Sequence, residues 1–542
     1  MRNLNTGESY STIQEAIDAP ETLDGHEIYV ASGVYYEQVT VNKSLSLISE
    51  NRSTTIIDGE GKGTVTRITA DNVEVRDFTI RNGTNCLWLD DSCNSRIVGN
   101  TLQDGSYGIR LHYSRNSEVA GNRIWECDWF GLEIKWSTNC TLQDNSMINN
   151  TYNFGVDGNS LSHFINDVDA SNTANGKPIY YLVNQHHLEI DASTFEEIGY
   201  LGLANSTGIS VKNLNLRDNA QGLLFAYTAN SIIKSVNLTN NWNGIHIRSS
   251  SNVSVIENNA NNNFDYAIAL RSCSNCTVAG NNANNNSWGG ISLGASRNCM
   301  VVENNASNNY YNIHLVESAN NLVHKNNAYP RNNGYSLVLY RSNNNTIYHN
   351  NFANSFLDLA VKSSNALDNG SEGNDWSDYN GTDTNHDGIG DTPYMVGENN
   401  VDNYPLMGRF SDFTVTLRGK TYKISVISSS DISQFQFSLD DEEISVMVTG
   451  ENETMGFSRI GVPKAFLQEL QSGELAVLIN GEPPLLKQEW TAGMHTYFYF
   501  SYDSNACELI TGRWLIIAAS VLLITFVVVF WVLKKHRGDP VE

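Results

Sequence analysis

The chain has 542 residues, of which only 17% are charged, and a formal net charge of −25 at pH 7. That length implies several domains or one long repetitive structure with additions. No basic stripe interrupts the acidic balance, which excludes a nucleic-acid partner, because phosphate binding needs clustered Lys and Arg.

In chain order, Thr12-Ile-Gln-Glu15 is a capping box, and Ile13, Ala16 and Ile17 give the short helix behind it one apolar face that Pro20 helps to end. Residues 1–25 therefore read as a cap on the open end of a stack. The stretches 27–37, 39–48 and 54–59 alternate apolar and polar residues between glycines, the pattern of first strands, and further rungs start at Val73, Ile97, Val119 and Leu142. The spacing then breaks at an insertion over about 158–205, which contains a strand over 177–183 and a polar run over 184–189. Insertions in stacked repeats form loops on one face, so this one is expected to make a lid or side wall.

Over 208–350 the repeat is regular. Asn230, Asn252, Asn275, Asn298, Asn320 and Asn344 lie 22, 23, 23, 22 and 24 residues apart, and three residues after each comes Ile233, Val255, Val278, Val301, Val323 or Ile347. Later in each unit stands an alternating run such as Gly244-Ile-His-Ile-Arg248 or Ala267-Ile-Ala-Leu-Arg271. Period two inside a longer fixed period means short strands stacked rung upon rung, with Ile245 and Ile247 facing inward onto Ile268 and Leu270 about 4.8 Å away. A second column, Asn258, Asn281, Asn304, Asn326 and Asn350, is placed for amide hydrogen bonds between rungs. The fold predicted for 26–370 is a right-handed parallel β-helix, in an all-β chain.

Eight cysteines form neither a disulfide framework nor a zinc module. Cys140, Cys276 and Cys299 share one column as small buried fillers, and Cys273-Ser-Asn-Cys276 lacks the second half of a metal motif.

Residues 371–410 form an Asp/Asn-rich linker. Asp383, Asn385, Asp387, the Ile389 carbonyl and Asp391 take positions 1, 3, 5, 7 and 9 of an EF-hand-like loop, with Gly388 at the sharp turn. Position 12 is Tyr394 rather than Glu, which leaves Asp378 or Asp402 to complete the shell. Structural calcium is the expected metal; an Asx-rich turn without an ion is the alternative. Over 411–508 alternating strands and one short helix at 462–470 indicate a β-sandwich-like domain.

Residues 514–533 carry no charge, are flanked by Trp514 and Trp531, and precede Lys534-Lys-His-Arg537. The pattern predicts one C-terminal transmembrane helix, a cytoplasmic tail over 534–542 and an extracellular location for the rest. The opening Met1-Arg-Asn-Leu-Asn5 has no apolar signal region, so export implies a misplaced gene start or a lost signal peptide. Asn-x-Ser/Thr triplets at Asn42, Asn51, Asn139, Asn205, Asn237, Asn252, Asn275, Asn305 and Asn452 would carry glycans in a glycosylating cell.

The order of "TIQEAI", "IYVASGVYYEQVTVNKSLSLISEN", "TIIDGEG" and then NCTV-type repeats resembles NosD-type β-helix proteins of the CASH group, the carbohydrate-binding and sugar-hydrolase solenoids related to pectate lyases. It is particularly similar to archaeal cell-surface members, over roughly residues 8–410. The resemblance implies the fold and an interest in polysaccharides, without one activity. The NosD name comes from a role in assembling a copper enzyme. Little in the sequence supports copper here: His186 and His187 are adjacent, Met is scarce, and His246 and His314 stand three rungs apart.

Aligning the rungs places Trp88, Arg110, Glu133 and Gly155 in one outward column, and Asp90, His112, Lys135 and Asp157 in the next. Trp88, Asp90, Arg110, His112, Glu133 and Lys135 are the candidate sugar-binding residues, since an aromatic face stacks on a pyranose and charged groups bind hydroxyls. If the face is catalytic, Asp90, Glu133 and Asp157 supply acid and base for hydrolysis, or Lys135, Arg110 or His112 abstracts a proton as a lyase requires, with Glu133, Lys135 and Asp157 as the favoured set. Cross-strand pairing alone would also produce such columns. The later columns, with His246, Arg248, Ala269 and Arg271, read as unspecialised surface. Three functions compete: a membrane-anchored cell-surface protein that binds a polysaccharide or surface glycan, a polysaccharide lyase or glycoside hydrolase, and a structural envelope rod or adhesin.

Overall fold

The computed structural model describes residues 1–353, 356–358, 363–397, 399–438, 443–449, 455–470, 476–480, 482–484, 486–503 and 507–512. They fall into two compact units, one of residues 1–346 and 353–365, the other of 347–352 and 366 onward.

The first unit is a right-handed parallel β-solenoid. Its cap is the helix Ile13–Asp18: Thr12 accepts the Glu15 N–H, the Glu15 carboxylate returns to the Thr12 N–H, and Ile13, Ala16 and Ile17 are fully buried. Behind it the chain winds through three faces, an eight-stranded sheet from Arg2–Asn3 to Asp167–Val168, a six-stranded sheet from Val39–Val41 to Tyr152–Asp157, and a sixteen-stranded sheet that continues far beyond both.

The inward residues stack in the register their alternation requires, Ile245 on Ile268 and Ile247 on Leu270, all fully buried. The turns are closed by buried amides. Asn258 Nδ2 donates to Asn281 Oδ1 at 2.9 Å and to the Ile233 carbonyl at 3.0 Å, and Asn281 repeats the pattern toward Asn304 and Val255. The Asn258 and Asn281 amides are thereby satisfied, which removes the desolvation penalty of about 1–3 kcal/mol that an unpaired group would carry.

Residues 158–205 are neither a lid nor a side wall. Asp167–Val168 and Thr173–Ala174 extend two faces of the existing stack, in parallel with Thr141–Gln143 and Ser146–Ile148. The chain then reverses at Asn175 and Gly176, whose φ values of 51° and 77° are those of a tight hairpin turn, and Lys177–Val183 runs antiparallel to Thr173–Ala174. From Lys177–Val183 onward parallel winding resumes as a second stack, through Tyr200–Ala204, Gln221–Ala226, Asn243–Arg248 and their successors. The six-stranded sheet of the first stack ends at Tyr152–Asp157, and this edge bonds to the second stack: Asn153 N–H donates to the Asp218 carbonyl at 2.7 Å, and Ala220 N–H to the Phe154 carbonyl at 3.0 Å.

In the second unit a five-stranded antiparallel sheet (Arg409–Leu417, Lys420–Ser428, Met455–Pro463, His495–Asp503, Leu486–Ala492) and a four-stranded one (Asp431–Ser438, Glu443–Thr449, Cys507–Gly512, Ala476–Ile479) enclose a shared core that includes Ile424, Val426, Val446, Phe498 and Phe500. The helix Lys464–Glu469 packs Phe466 into it. Residues of the 371–410 stretch belong to the same unit, where Arg459 bonds Glu372 and the Asp387 carbonyl. The expected transmembrane segment, 514–533, lies outside the described residues. Among the described residues no helix is long and apolar enough to cross a membrane.

Candidate functional site

The two outward columns stand in the register expected from alternation, Trp88–Arg110–Glu133–Gly155 and Asp90–His112–Lys135–Asp157 on successive strands. They divide into two neighbourhoods. Upstream, the residues turn toward one another: Arg67 pairs with Asp90 and lies 5.0 Å over the Trp88 ring, and His112 Nδ1 stands 3.5 Å from Asp90. His112 also packs against Tyr113 and Trp136. These are cross-strand neighbours, and the Trp88 indole N–H and His112 Nδ1 have no hydrogen-bond partner among the described residues.

Downstream, Arg110, Glu133, Lys135 and Asp157 line a groove of about 220 Å³ whose other side is built by the second stack, through Trp242, His246, Arg248, Asp265 and Arg271. No residue of 158–205 lines it. Gly155 permits the two stacks to close: a Cβ there would lie 2.2 Å from the Ala220 Cβ, so no side chain fits at that point of the column. Phe130, Tyr152 and Ala220 pack together, with Tyr107 and Trp242 against them, and form an aromatic floor.

The charges within the groove are partly paired. Arg110 Nε contacts Glu133 Oε2 at 2.8 Å, and Arg248 Nη1 meets Asp157 Oδ1 at 3.3 Å. Lys135 lies over Trp136 at 5.0 Å, and neither it nor Arg271 has a carboxylate within ion-pair distance among the described residues. Four cations thus face three carboxylates, Glu133, Asp157 and Asp265, a local positive excess in a chain of charge −25. Burial raises the Asp265 carboxyl, against the opposing influence of the Arg271 charge and of hydrogen bonds from Asn243 and Trp242. His246 is only 7% exposed, and neither ring nitrogen has a hydrogen-bond partner among the described residues. Burial pushes its imidazole down to about 4, so at neutral pH a neutral ring faces the groove.

His246, Arg248 and Arg271, which the repeat alone assigned to plain surface, are therefore half of the site. The signal that would have found them is Asn175-Gly176, a two-residue hairpin sequence that announces a reversal of the chain.

In the 383–391 loop the oxygens are engaged by the loop itself. Asp383 accepts the N–H groups of Asp387 and Gly388 at 3.0 and 2.8 Å, Asp387 accepts from Ile389 N–H and from the Asn385 amide, and Asp391 accepts from Thr382 and Thr384. Ile389 bridges to Leu406, Tyr394 donates to Asp378, and Asp402 is buried under the Trp376 indole N–H. Beside this loop a larger cleft of about 680 Å³ is bordered by Glu372, Arg459, Trp490 and Tyr497. Burial acts to raise the Glu372 carboxyl, but the His349 hydrogen bond and the Arg459 charge outweigh it and hold the group at about 2.

Comparison with known proteins gives a family match over most of the solenoid: the family described as "Periplasmic copper-binding protein (NosD)" matches residues 21–200 and 184–397. A cell surface glycoprotein of Methanothermus fervidus is 39% identical over 104 residues, 19% of this chain and 17% of that protein, so the chain spans about a sixth of its relative. Among solved structures, the A-module of the Azotobacter vinelandii mannuronan C-5 epimerase AlgE4 is 13% identical, covering 62% of this chain and 91% of the module at a TM-score of 0.26. PfbA, a surface adhesin of Streptococcus pneumoniae, is 15% identical, covering 60% and 87% at 0.29. At these identities and scores neither bears on function.

The copper of the family description does not fit the described residues. Cys273, Cys276 and Cys299 are buried side by side, yet their thiols donate to the carbonyls of Arg271, Ser274 and Arg297, and no three His, Cys, Asp or Glu side chains among the described residues are arranged to hold a metal ion. The family itself is shown by a match that extends over well more than half of the sequence: the chain belongs to the NosD family of β-helix proteins.

Proposed function

We propose that this is a cell-surface protein that binds polysaccharide in the groove between its two stacks. The observation that carries the reading is the groove itself: an aromatic floor, a buried imidazole with no partner, and two unpaired cations, Lys135 and Arg271, converge from segments more than a hundred residues apart. The likeness to an archaeal cell surface glycoprotein supports the location, and 514–533 is the proposed anchor, with 534–542 on the cytoplasmic side. A glycan array probed with the full chain and with Arg271→Ala tests the reading. Retention of an acidic or neutral polysaccharide by the wild type, and its loss in the variant, is expected; no retention of any glycan overturns it.

One observation favours turnover as a second reading: the neutral His246 ring faces the same groove as Glu133, Lys135 and Asp157. Lyase or hydrolase action would release unsaturated or reducing ends from a bound polyuronate and would stop in His246→Ala; intact polymer after incubation excludes it. We also propose structural calcium in the 383–391 loop, supported by the spacing of its oxygen-bearing residues, with the ion drawing together carboxylates that otherwise accept hydrogen bonds within the loop.

A further inference from the structure

The groove opens onto a row of aromatic rings that the core does not need. The turn leading into successive strands of the second stack carries Trp242, Phe264, Trp288 and Tyr310, while the inward positions of the same rungs are filled by Ile245, Ile268, Ile291 and Ile313. Phe264 is 48% exposed and Trp288 46%, and their neighbours in the turns are mostly Asn and Ser. Trp242 and Phe264 have ring centroids 4.7 Å apart, and Trp288 and Tyr310 5.7 Å. Trp129, from the first stack, joins the row 5.3 Å from Trp242.

These rings are held in place. The Trp288 indole N–H donates to the Tyr266 hydroxyl at 3.0 Å, and that hydroxyl meets His314 Nδ1 at 2.7 Å, so the exposed indole is fixed from below. Beside Phe264 lies a second cleft, of about 520 Å³, bordered by Asn240, Asn262 and Asn285. Trp242 lines the charged groove and also starts the row, which makes the two surfaces continuous.

A protein partner would need a broad apolar patch, and this one is two small clusters of rings, around Phe264 and around Trp288, with amides along one side. It suits a narrow, long ligand whose faces are C–H and whose edges are hydroxyl, which describes a carbohydrate chain. We propose that the polysaccharide leaves the groove over Trp242 and continues along the solenoid axis on Phe264, Trp288 and Tyr310, so that affinity grows with chain length. The proposal rests on the groove reading and extends it to several sugar units.

The test titrates the full chain with a trisaccharide and a decasaccharide, in an oligogalacturonate series and a neutral cello-oligosaccharide series. Wild type should bind the decasaccharide of one series at least about tenfold more tightly than the trisaccharide. Phe264→Ala and Trp288→Ala should remove that advantage and leave trisaccharide affinity within about twofold, whereas Arg271→Ala should weaken both lengths. Equal decasaccharide affinity in wild type, Phe264→Ala and Trp288→Ala, with loss in Arg271→Ala, overturns the axial path and leaves the groove reading standing. Absence of binding by wild type to both lengths in both series overturns the two together.

Discussion

Asp157 and Arg248 are 91 residues apart in sequence and meet at 3.3 Å, at the line where the first stack of rungs ends against the second. The first residue closes the outward column of the six-stranded sheet, and the second belongs to the column that includes Arg271. Their contact marks the place where two surfaces, each ordinary alone, become one groove.

That junction depends on the missing side chain at Gly155. Gly155→Ala would put a Cβ against Ala220, where neither partner is the end of a flexible chain, and should destabilise the protein by about 1–3 kcal/mol through overpacking. The double change Gly155→Ala with Ala220→Gly should recover most of the loss in a thermal melt. Equal stability of the single variant and the wild type contradicts the close approach.

The buried amide columns should be far more sensitive than the exposed ones. Asn281 donates to the Val255 carbonyl and to Asn304 and accepts from Asn258, whereas its neighbour Asn282 is exposed and makes one side-chain bond, to Asn259. Asn281→Ala should cost on the order of 3 kcal/mol, and Asn282→Ala less than about 0.5 kcal/mol. Denaturant unfolding of the two variants measures the difference; similar losses would show that the ladder is not what closes the turns.

Acid should act through the buried histidines. His246 and His314 both titrate near 4, depressed by burial from an ordinary 6.5. The unfolded chain therefore takes up protons between pH 6.5 and 4 that the folded chain refuses, so the stability these groups contribute is complete above about 6.5 and lost as pH falls toward 4. His246→Gln should remove on the order of 3 kcal/mol of that acid loss. Melting at a series of pH values checks this, and a variant with the wild-type pH slope would contradict it.

For the 383–391 loop, calcium at about a hundred times its Kd should stabilise the protein by about 2.7 kcal/mol, and Asp387→Ala should abolish the effect. A melting profile unmoved by calcium or by a chelator removes the metal from the account.

Much of the fold was legible because it is local. The 22 to 24 residue period and the two-residue alternation specify which side chains share a column, and the registers of Ile245 with Ile268 and of Arg110 with Glu133 follow from them. The capping box at Thr12 is likewise a contact over three residues. What a period cannot express is its own reversal. The chain reverses at Asn175 and Gly176 before Ala220 bonds back to Phe154, a pairing over 66 residues that no rung-to-rung spacing announces. The upstream residues Trp88, Asp90 and His112 had the composition of a sugar site but meet only their own cross-strand neighbours, and the second stack supplies the wall that they lack.

The most direct measurement of the central claim compares the affinity of polygalacturonate, at low and high salt, for the wild type, for Lys135→Ala and Arg271→Ala in the groove, and for Asp90→Ala and His112→Ala upstream. The groove account predicts binding that weakens with salt, falls about tenfold or more in each groove variant and stays within about twofold in the upstream pair. Loss confined to the upstream variants, or an affinity unchanged in both groove variants, would contradict it.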